Sequence, residues 1–215
     1  EDVVTVEEDI DLGEEYSILN LNGTVKSTSK DTGAGKFTIN GYDEEASHSV
    51  ISLGGSERHY GFTLDKVTEM EINNVTISGG TKVLHVYNSG ASASLNNVVI
   101  RDNENAIIND AGTVNLTGVT ISAGKTEFPN SVSNTDTMNI TNTKILSSVT
   151  NSGTFTGSTT NENGKNEIKL MTNSGSVELS GKNTITSLYS TEPTSTVTLT
   201  SGSLTSTIFN NAGTR

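Results

Sequence analysis

The sequence reads NSGASASLNNVVI at residues 88–100 and NDAGTVNLTGVTI at residues 109–121, so each landmark of the first segment returns 21 residues later. In both segments an Asn/Gly turn precedes an alternating run, and a second corner precedes another alternating pair. The alternation places Leu95 and Leu116 on the same side of their strands. One unit cannot cover its own apolar row, but a second unit stacked about 4.8 Å away covers the row and pairs the backbone. The repeat therefore predicts a coil of parallel strands.

The pattern continues to the C-terminus with uneven spacing. From Asn88 onward the steps between equivalent asparagines are 21, 25, 17 and 22 residues. Uneven steps favour a β-helix whose corners accept insertions while the strand positions stay in register. We expect an all-β chain that forms a single right-handed parallel β-helix, or solenoid, of about eight to nine rungs. Leu116, Val119 and Ile121 are predicted to point inward and to be covered by the rungs before and after them.

The two ends of the chain differ in charge. The first fifteen positions carry eight acidic residues and no basic residue, whereas residues 183–214 contain a single charged residue, Glu192. Acidic decoration of one end is typical of a cap, because it discourages strand addition. We assign residues 1–35 to an N-terminal acidic cap and first rung, and residues 36–215 to β-helix rungs with an open or truncated C-terminal end. Since the chain begins at Glu1 without a methionine, we expect it to be a processed or excised piece.

Composition narrows the classes of partner. The net charge is −12 and the pI is about 4.6, so phosphate-rich nucleic acid and anionic membranes are disfavoured. No run approaches the ~20 apolar residues of a membrane-spanning helix, so we expect no membrane insertion of this segment. The sequence contains no cysteine, which excludes a disulfide scaffold and a thiolate metal site.

A charged and aromatic insertion interrupts the N-terminal part between Tyr42 and Tyr60. Loops that project from a rigid scaffold often carry binding residues, so this segment is the candidate ligand loop. The alternative is a solvated corner insertion. The candidate residues are Asp43, Glu44, Glu45, His48, Glu57, Arg58, His59 and Tyr60.

Asparagine recurs at one corner of the predicted coil. Side-chain amides at such a position can hydrogen-bond the amides above and below, and asparagine also tolerates left-handed backbone. We predict a structural ladder of stacked amides, and the alternative is a glycan-binding ledge made of the same groups. The ladder residues are Asn88, Asn109, Asn134, Asn151 and Asn173.

Several segments resemble a known group of proteins. They are VTVEEDIDLG at residues 4–13, FTL at 62–64 and MEINNVTISGG at 70–80. In their local sequence pattern and rung layout, they resemble the N-terminal coils of bacterial surface β-helices, namely autotransporter passengers and related adhesin-like proteins of the pectin-lyase-like superfold. The resemblance implies a bacterial surface or secreted protein.

The same superfold includes enzymes that cut acidic polysaccharides. Asn134-Thr135-Asp136 matches a tripeptide of polygalacturonase-like hydrolases, but the neighbouring rungs lack the further carboxylates that such an enzyme uses. The segment 102–105 has the oxygen-rich character of a weak calcium loop without the full ligand set. His48, His59 and His85 are the only histidines, and no third metal ligand accompanies the first two. We expect no catalytic, metal or cofactor site.

These observations predict a non-catalytic adhesin-like or stalk module, extracellular or on the bacterial cell surface. Its expected partners are a host or matrix glycan or protein surface, or copies of itself stacked end to end into a fibre. The alternative function is a polysaccharide lyase or hydrolase, or a tailspike-like depolymerase.

Overall fold

A computed structural model describes residues 3–6, 10–11, 18–21, 24–27, 35–42, 45–47, 49–53, 60–64, 68–124, 126 and 129–211. Throughout these residues the regular secondary structure is β-strand, and helices are absent from them. A helix long and apolar enough to cross a membrane is accordingly not found in this part of the chain.

The strands range in length from two to fifteen residues. The first nine are β1 Val3–Val6, β2 Ile10–Asp11, β3 Ile18–Leu21, β4 Thr24–Ser27, β5 Gly35–Asn40, β6 Val50–Leu53, β7 Tyr60–Leu64, β8 Thr68–Asn73 and β9 Thr76–Ser78. The next seven are β10 Lys82–Asn96, β11 Val99–Arg101, β12 Asn105–Thr117, β13 Thr120–Ile121, β14 Ser131–Asn134, β15 Thr137–Thr141 and β16 Lys144–Asn151. The last seven are β17 Thr154–Ser158, β18 Asn166–Asn173, β19 Ser176–Leu179, β20 Lys182–Ser190, β21 Thr196–Leu199, β22 Ser203–Thr205 and β23 Ile208–Asn211.

Parallel pairing arranges the strands into three sheets, and long strands that turn a corner belong to two of them. Sheet 1 contains β1, β4, β7, the first halves of β10 and β12, β14, the second halves of β16, β18 and β20, and β23. Sheet 2 contains β2, β5, β8, the second halves of β10 and β12, β15, β17, β19 and β21. Sheet 3 contains β3, β6, β9, β11, β13, the first halves of β16, β18 and β20, and β22.

The predicted parallel β-solenoid is confirmed. Each strand pairs with the strand one turn earlier and the strand one turn later, and between β7 and β23 the coil completes about seven turns. This count leaves out β1 to β6, which precede β7 in the same three sheets, and it differs slightly from the eight to nine rungs predicted from the sequence. The predicted N-terminal cap lies mostly outside the described residues.

Each sheet contributes inward rows in which equivalent residues stack along the coil. The most uniform row lies in sheet 3 and consists of buried isoleucines in seven consecutive turns. Identical branched side chains one strand spacing apart pack against one another and leave few voids. The row comprises Ile51, Ile77, Ile100, Ile121, Ile145, Ile168 and Ile185.

The inward register predicted around Leu116 is also confirmed. Leu116, Val119 and Ile121 are at most 1% exposed. Leu116 lies between Leu95 in the preceding turn and Ile140 in the next. A shift of one residue would have buried Asn115 and Thr117 in its place.

Left-handed backbone marks the corner between sheets 2 and 3. Asn74, Asn97, Gly118 and Asn142 occupy this corner in four successive turns, with φ between 49° and 63°. Glycine and asparagine adopt this conformation at the lowest steric cost. A buried β-branched residue follows each of them at once, so the corner turns the chain directly back toward the core.

Leu116→Ala is expected to lower the free energy of unfolding by about 2 to 5 kcal/mol, because it removes a buried side chain between two covering turns. Thr117→Ala, at the exposed neighbouring position, is expected to change it by less than about 0.5 kcal/mol. Urea denaturation followed by circular dichroism measures both. Equal midpoints for the two variants would contradict the inward register.

Candidate functional site

The candidate ligand loop lies almost wholly outside the described residues. This applies to Asp43, Glu44, His48, Glu57, Arg58 and His59. Of the other two, Glu45 is exposed, and Tyr60 begins β7, where its backbone pairs with Lys82. Part of the insertion is hydrogen-bonded to β9 of the next turn, because Thr76 Oγ1 donates to the Ala46 carbonyl at 2.8 Å and Thr76 N to the Ser49 carbonyl at 2.8 Å.

Four of the five predicted ladder residues stack in one inward row of sheet 1. Nδ2 of Asn109 donates to Oδ1 of Asn134 at 2.8 Å, Asn134 donates likewise to Asn151 at 2.7 Å, and Asn151 to Asn173 at 2.8 Å. All four side chains are fully buried. The second amide hydrogen of each asparagine bonds backbone carbonyls of its own corner or the next turn, such as that of Thr154 for Asn134. Since the bonds satisfy nearly every amide group, the polar row is tolerated inside the core.

The prediction is wrong for Asn88. Val86 pairs with Asn109 and occupies the ladder position one turn earlier. Asn88 lies farther along, in a wider corner, where its Oδ1 accepts a hydrogen bond from Gly90 N at 2.9 Å. The left-handed backbone expected at the ladder is likewise absent from its four members and occurs at other corners.

The ladder has a direction and two ends. Every amide donates toward the C-terminal turns, so Oδ1 of Asn109 faces the apolar Val86 and is buried without a partner. At the other end the next position is Ser190, whose buried Oγ also lacks a partner. The amide row therefore ends abruptly against an apolar row on one side and a hydroxyl group on the other.

The outer face of sheet 2 consists mainly of hydroxyl and amide groups from β10 to β21, whereas the preceding strand, β8, carries Glu69 and Glu71 in the same columns. Its first column runs Ser92, Thr113, Thr137, Thr154, Ser176 and Thr196. Its second column runs Ser94, Asn115, Asn139, Thr156, Glu178 and Thr198, and its third runs Asn96, Thr117, Thr141 and Ser158. Glu178 is the one charged residue among these positions. We call this surface the outer face of sheet 2.

Hydrogen bonds between turns hold parts of this face in place. Asn139 donates to Asn115 at 2.9 Å, and the hydroxyls of Thr141 and Ser158 lie 3.0 Å apart. Asn96 donates to Asn73 at 2.8 Å, and Asn73 donates to Asn40 at 2.9 Å. The face is thus a preorganised polar surface along much of the coil.

The residues of the hydrolase-like tripeptide, 134–136, form hydrogen bonds that hold corners of the coil. Asn134 belongs to the ladder, and Thr135 Oγ1 donates to the Asp110 carbonyl at 2.6 Å. Asp136 accepts the Gly112 N–H at Oδ2 over 2.7 Å and the Thr137 hydroxyl at Oδ1 over 3.1 Å. Gly112 has φ +91°, and a Cβ there would lie 2.6 Å from the carbonyl oxygens of Asn88 and Ala91, so this corner requires glycine. The carboxylate of Asp136 therefore caps a tight corner.

The oxygen-rich segment 102–105 turns one of its ligand candidates inward. Asn103 is fully buried; its N–H donates to Asn130 Oδ1 at 2.6 Å, and its side-chain amide donates to the Gly79 carbonyl. Within the part of the chain that the structure describes, no three His, Asp or Glu side chains are grouped as a metal site. Asn103 thus serves as a corner residue.

One group of side chains was not predicted from the sequence. His85 Nε2 donates to Asp110 Oδ2 at 2.8 Å, and the His85 and Tyr87 ring centroids lie 4.8 Å apart. A constant repeat of 21 residues would place His85 beside Ala106, whereas the structure pairs it with Ile108. We call His85, Tyr87 and Asp110 the corner cluster.

Asn134→Asp is expected to lower the free energy of unfolding by about 3 to 5 kcal/mol at neutral pH, because the new carboxylate faces Asn151 Oδ1 and two backbone carbonyls in place of a donor. Burial raises the pKa of this new carboxyl above its value in the unfolded chain. The loss is therefore largest at neutral pH, shrinks as the pH falls from the raised folded pKa toward about 4, and is smallest below that, where the group is protonated in both states.

Asn139→Asp, on the outer face of sheet 2, serves as the control and is expected to lower the stability by less than about 1 kcal/mol. Urea titrations at pH 7 and pH 4 test both variants. A pH-independent loss at Asn134, or equal losses at the two sites, would contradict the ladder's role.

The comparisons with known proteins give no relative for this chain. No family model matches it, and neither a curated protein nor a solved structure shows significant similarity to it. Its function is therefore inferred from its own residues and geometry.

Proposed function

We propose that the chain is a non-catalytic, adhesin-like stalk module on a bacterial cell surface or in its secreted material, and that the outer face of sheet 2 binds an uncharged, extended glycan. The observation that carries this proposal is the regular array of Ser, Thr and Asn side chains from Ser92 to Thr198. Hydroxyl and amide groups donate and accept hydrogen bonds without attracting ions.

The repeat of the array suits a repeating ligand. Equivalent side chains recur every strand spacing, about 4.8 Å, along several turns. A chain of similar sugars can form the same weak contact many times, and repeated contacts raise the overall affinity without any strong single site. Charge is sparse between Ser92 and Thr198, and the charges in these columns on β8 and β19 are acidic, so the face favours an uncharged glycan over an acidic one.

The side chains of this face are already held in place, which suits the face to binding a ligand. Side chains such as Asn115 and Asn139 are already hydrogen-bonded to their neighbours one turn away. Less side-chain entropy is then lost when a ligand binds. The rigid β-solenoid fits an adhesin-like protein, and it also fits a polysaccharide-active enzyme, which remains the competing proposal.

A glycan and matrix-protein array tests the binding role. The parent protein is expected to bind uncharged glycans with little dependence on salt, because few charges are involved. Thr154→Arg, on the outer face of sheet 2, is expected to weaken this binding about tenfold by inserting a bulky charge. Thr150→Arg, at an exposed position of sheet 1 in the same region, is the matched control and should leave binding unchanged. Equal effects of the two variants, or no bound glycan, would refute the assignment to this face.

The enzyme alternative is tested with the same protein. Incubation with pectins, alginates and host glycans is expected to release no reducing ends and no unsaturated uronates. Robust turnover of any of them would replace the stalk proposal with a polysaccharide-active enzyme.

End-to-end stacking of copies belongs to the same proposal. In the last turn Leu199, Ile208 and Phe209 are 45%, 46% and 41% exposed, although Leu199 and Phe209 continue the inward rows of Leu179 and Leu188. The occupant we propose is the first turn of a second copy. The backbone of its β1 is in register with the strands that carry this row of sheet 1, since Val4 pairs with Val25 and Val25 with Phe62. Strand addition of this kind covers both the apolar row and the open backbone edge.

Light scattering over a hundredfold range of concentration measures the stacking. The mean mass of the parent is expected to rise with concentration, whereas Leu199→Lys combined with Phe209→Glu should remain a single chain. Tyr42→Lys changes an equally exposed aromatic residue away from this end and should behave as the parent. A parent of constant single-chain mass would exclude stacking.

A further inference from the structure

In the corner cluster, an exposed aromatic ring and an exposed carboxylate both contact one imidazole, that of His85. The side chain of His85 is 19% exposed and that of Asp110 51%, and Tyr87 is 44% exposed. The ring planes of His85 and Tyr87 are inclined by 48°. The imidazole is thus mostly covered, while the tyrosine ring and the carboxylate face solvent beside it.

The backbone explains why these groups project. Tyr87 pairs with Ala111, but the next pairing joins Ser92 to Thr113, so β10 uses five steps at this corner where β12 uses two. The extra residues push the corner outward at Tyr87. The Thr135 hydroxyl, from the following turn, donates to the Asp110 carbonyl at 2.6 Å and fastens the carboxylate-bearing residue. The groups are therefore placed before any ligand arrives.

The chemistry of the cluster suits a cation with a planar, forked donor. The face of a tyrosine ring attracts cations, and a carboxylate forms short, charge-assisted hydrogen bonds with them. His85 binds Asp110 at Oδ2, and none of the described residues donates to Oδ1. A guanidinium group can stack on an aromatic ring and donate to a carboxylate oxygen at the same time, which an ammonium group does less well.

The overall charge of the chain favours the same kind of ligand. The residues that pair with His85 on the adjoining strands, Thr63 and Ile108, are uncharged and do not repel a cation. The chain as a whole carries a net charge of −12, which attracts basic partners and repels acidic ones.

We infer that the corner cluster binds an arginine side chain presented by a basic polypeptide partner. In this arrangement the guanidinium lies against the Tyr87 ring and donates to Asp110, and His85 is a positioning residue that holds the carboxylate. The cluster is separate from the outer face of sheet 2, so the inference goes beyond glycan binding and does not depend on it.

An NMR titration of the isotopically labelled full chain tests this inference. The probe is N-acetyl-arginine amide, and N-acetyl-citrulline amide is its uncharged counterpart of nearly the same shape. Saturable shifts are expected at Tyr87, His85 and Asp110 with the arginine probe, with at least about tenfold weaker binding of the citrulline probe. Equal binding of the two probes would overturn the inference, and this comparison needs only the parent protein.

Variants locate the binding groups. Asp110→Asn and Tyr87→Leu are each expected to weaken the arginine probe about tenfold, whereas Tyr87→Phe keeps the ring and should retain binding. Glu192→Gln removes the same charge at a remote exposed site and should retain the parent affinity. Equal weakening by Asp110→Asn and Glu192→Gln would reduce the effect to general charge attraction and refute the site. Shifts at the cluster with a neutral oligosaccharide but not with arginine would refute it in favour of a sugar site.

Discussion

The structure depends on one constraint, which is that each inward residue must be covered by the equivalent residue one turn away. Parallel pairing at about 4.8 Å imposes this constraint on every row, because neither the backbone edge nor the apolar side chain is satisfied within a single turn. The isoleucine row of sheet 3 meets it with a single residue type. The asparagine ladder of sheet 1 meets it with hydrogen bonds, since Asn134 and Asn151 both donate and accept along the row while the two end members make one such bond each. Both solutions require strict register and leave the corners free to vary.

This freedom of the corners explains what could and could not be predicted from the sequence. The strand positions around Leu95 and Leu116 were predictable, because alternation and stacking both act on them. The assignment of Asn88 to the asparagine ladder was wrong, because β10 contains extra corner residues and Val86 takes that ladder position. Because of the same extra residues, the contact between His85 and Asp110 could not be predicted from the sequence repeat. Contacts across a corner depend on insertion length, and a constant repeat carries no information about it.

The buried asparagine amides lie in a row where the neighbouring turns supply equivalent amides as hydrogen-bond partners. A buried amide without a partner lowers stability by about 1 to 3 kcal/mol, so a single asparagine in the row would be unfavourable. In a row of four, the unpaired acceptor of Asn109 occurs once, at the boundary with Val86, while the internal bonds increase with length. Sequence alone indicated the row but not where it would stop, because the boundary depends on the register of the preceding turn.

The pairing direction also determines how the coil responds to mechanical force. Strands lie across the long axis, so the hydrogen bonds between turns run along it. A pull along this axis loads the bonds between turns in tension, as where β23 meets the end of β20, and does not shear a whole sheet at once. Each turn that detaches releases about 20 residues, or roughly 70 Å of extended chain. Under load the coil is therefore expected to lengthen in steps, each the length of one turn.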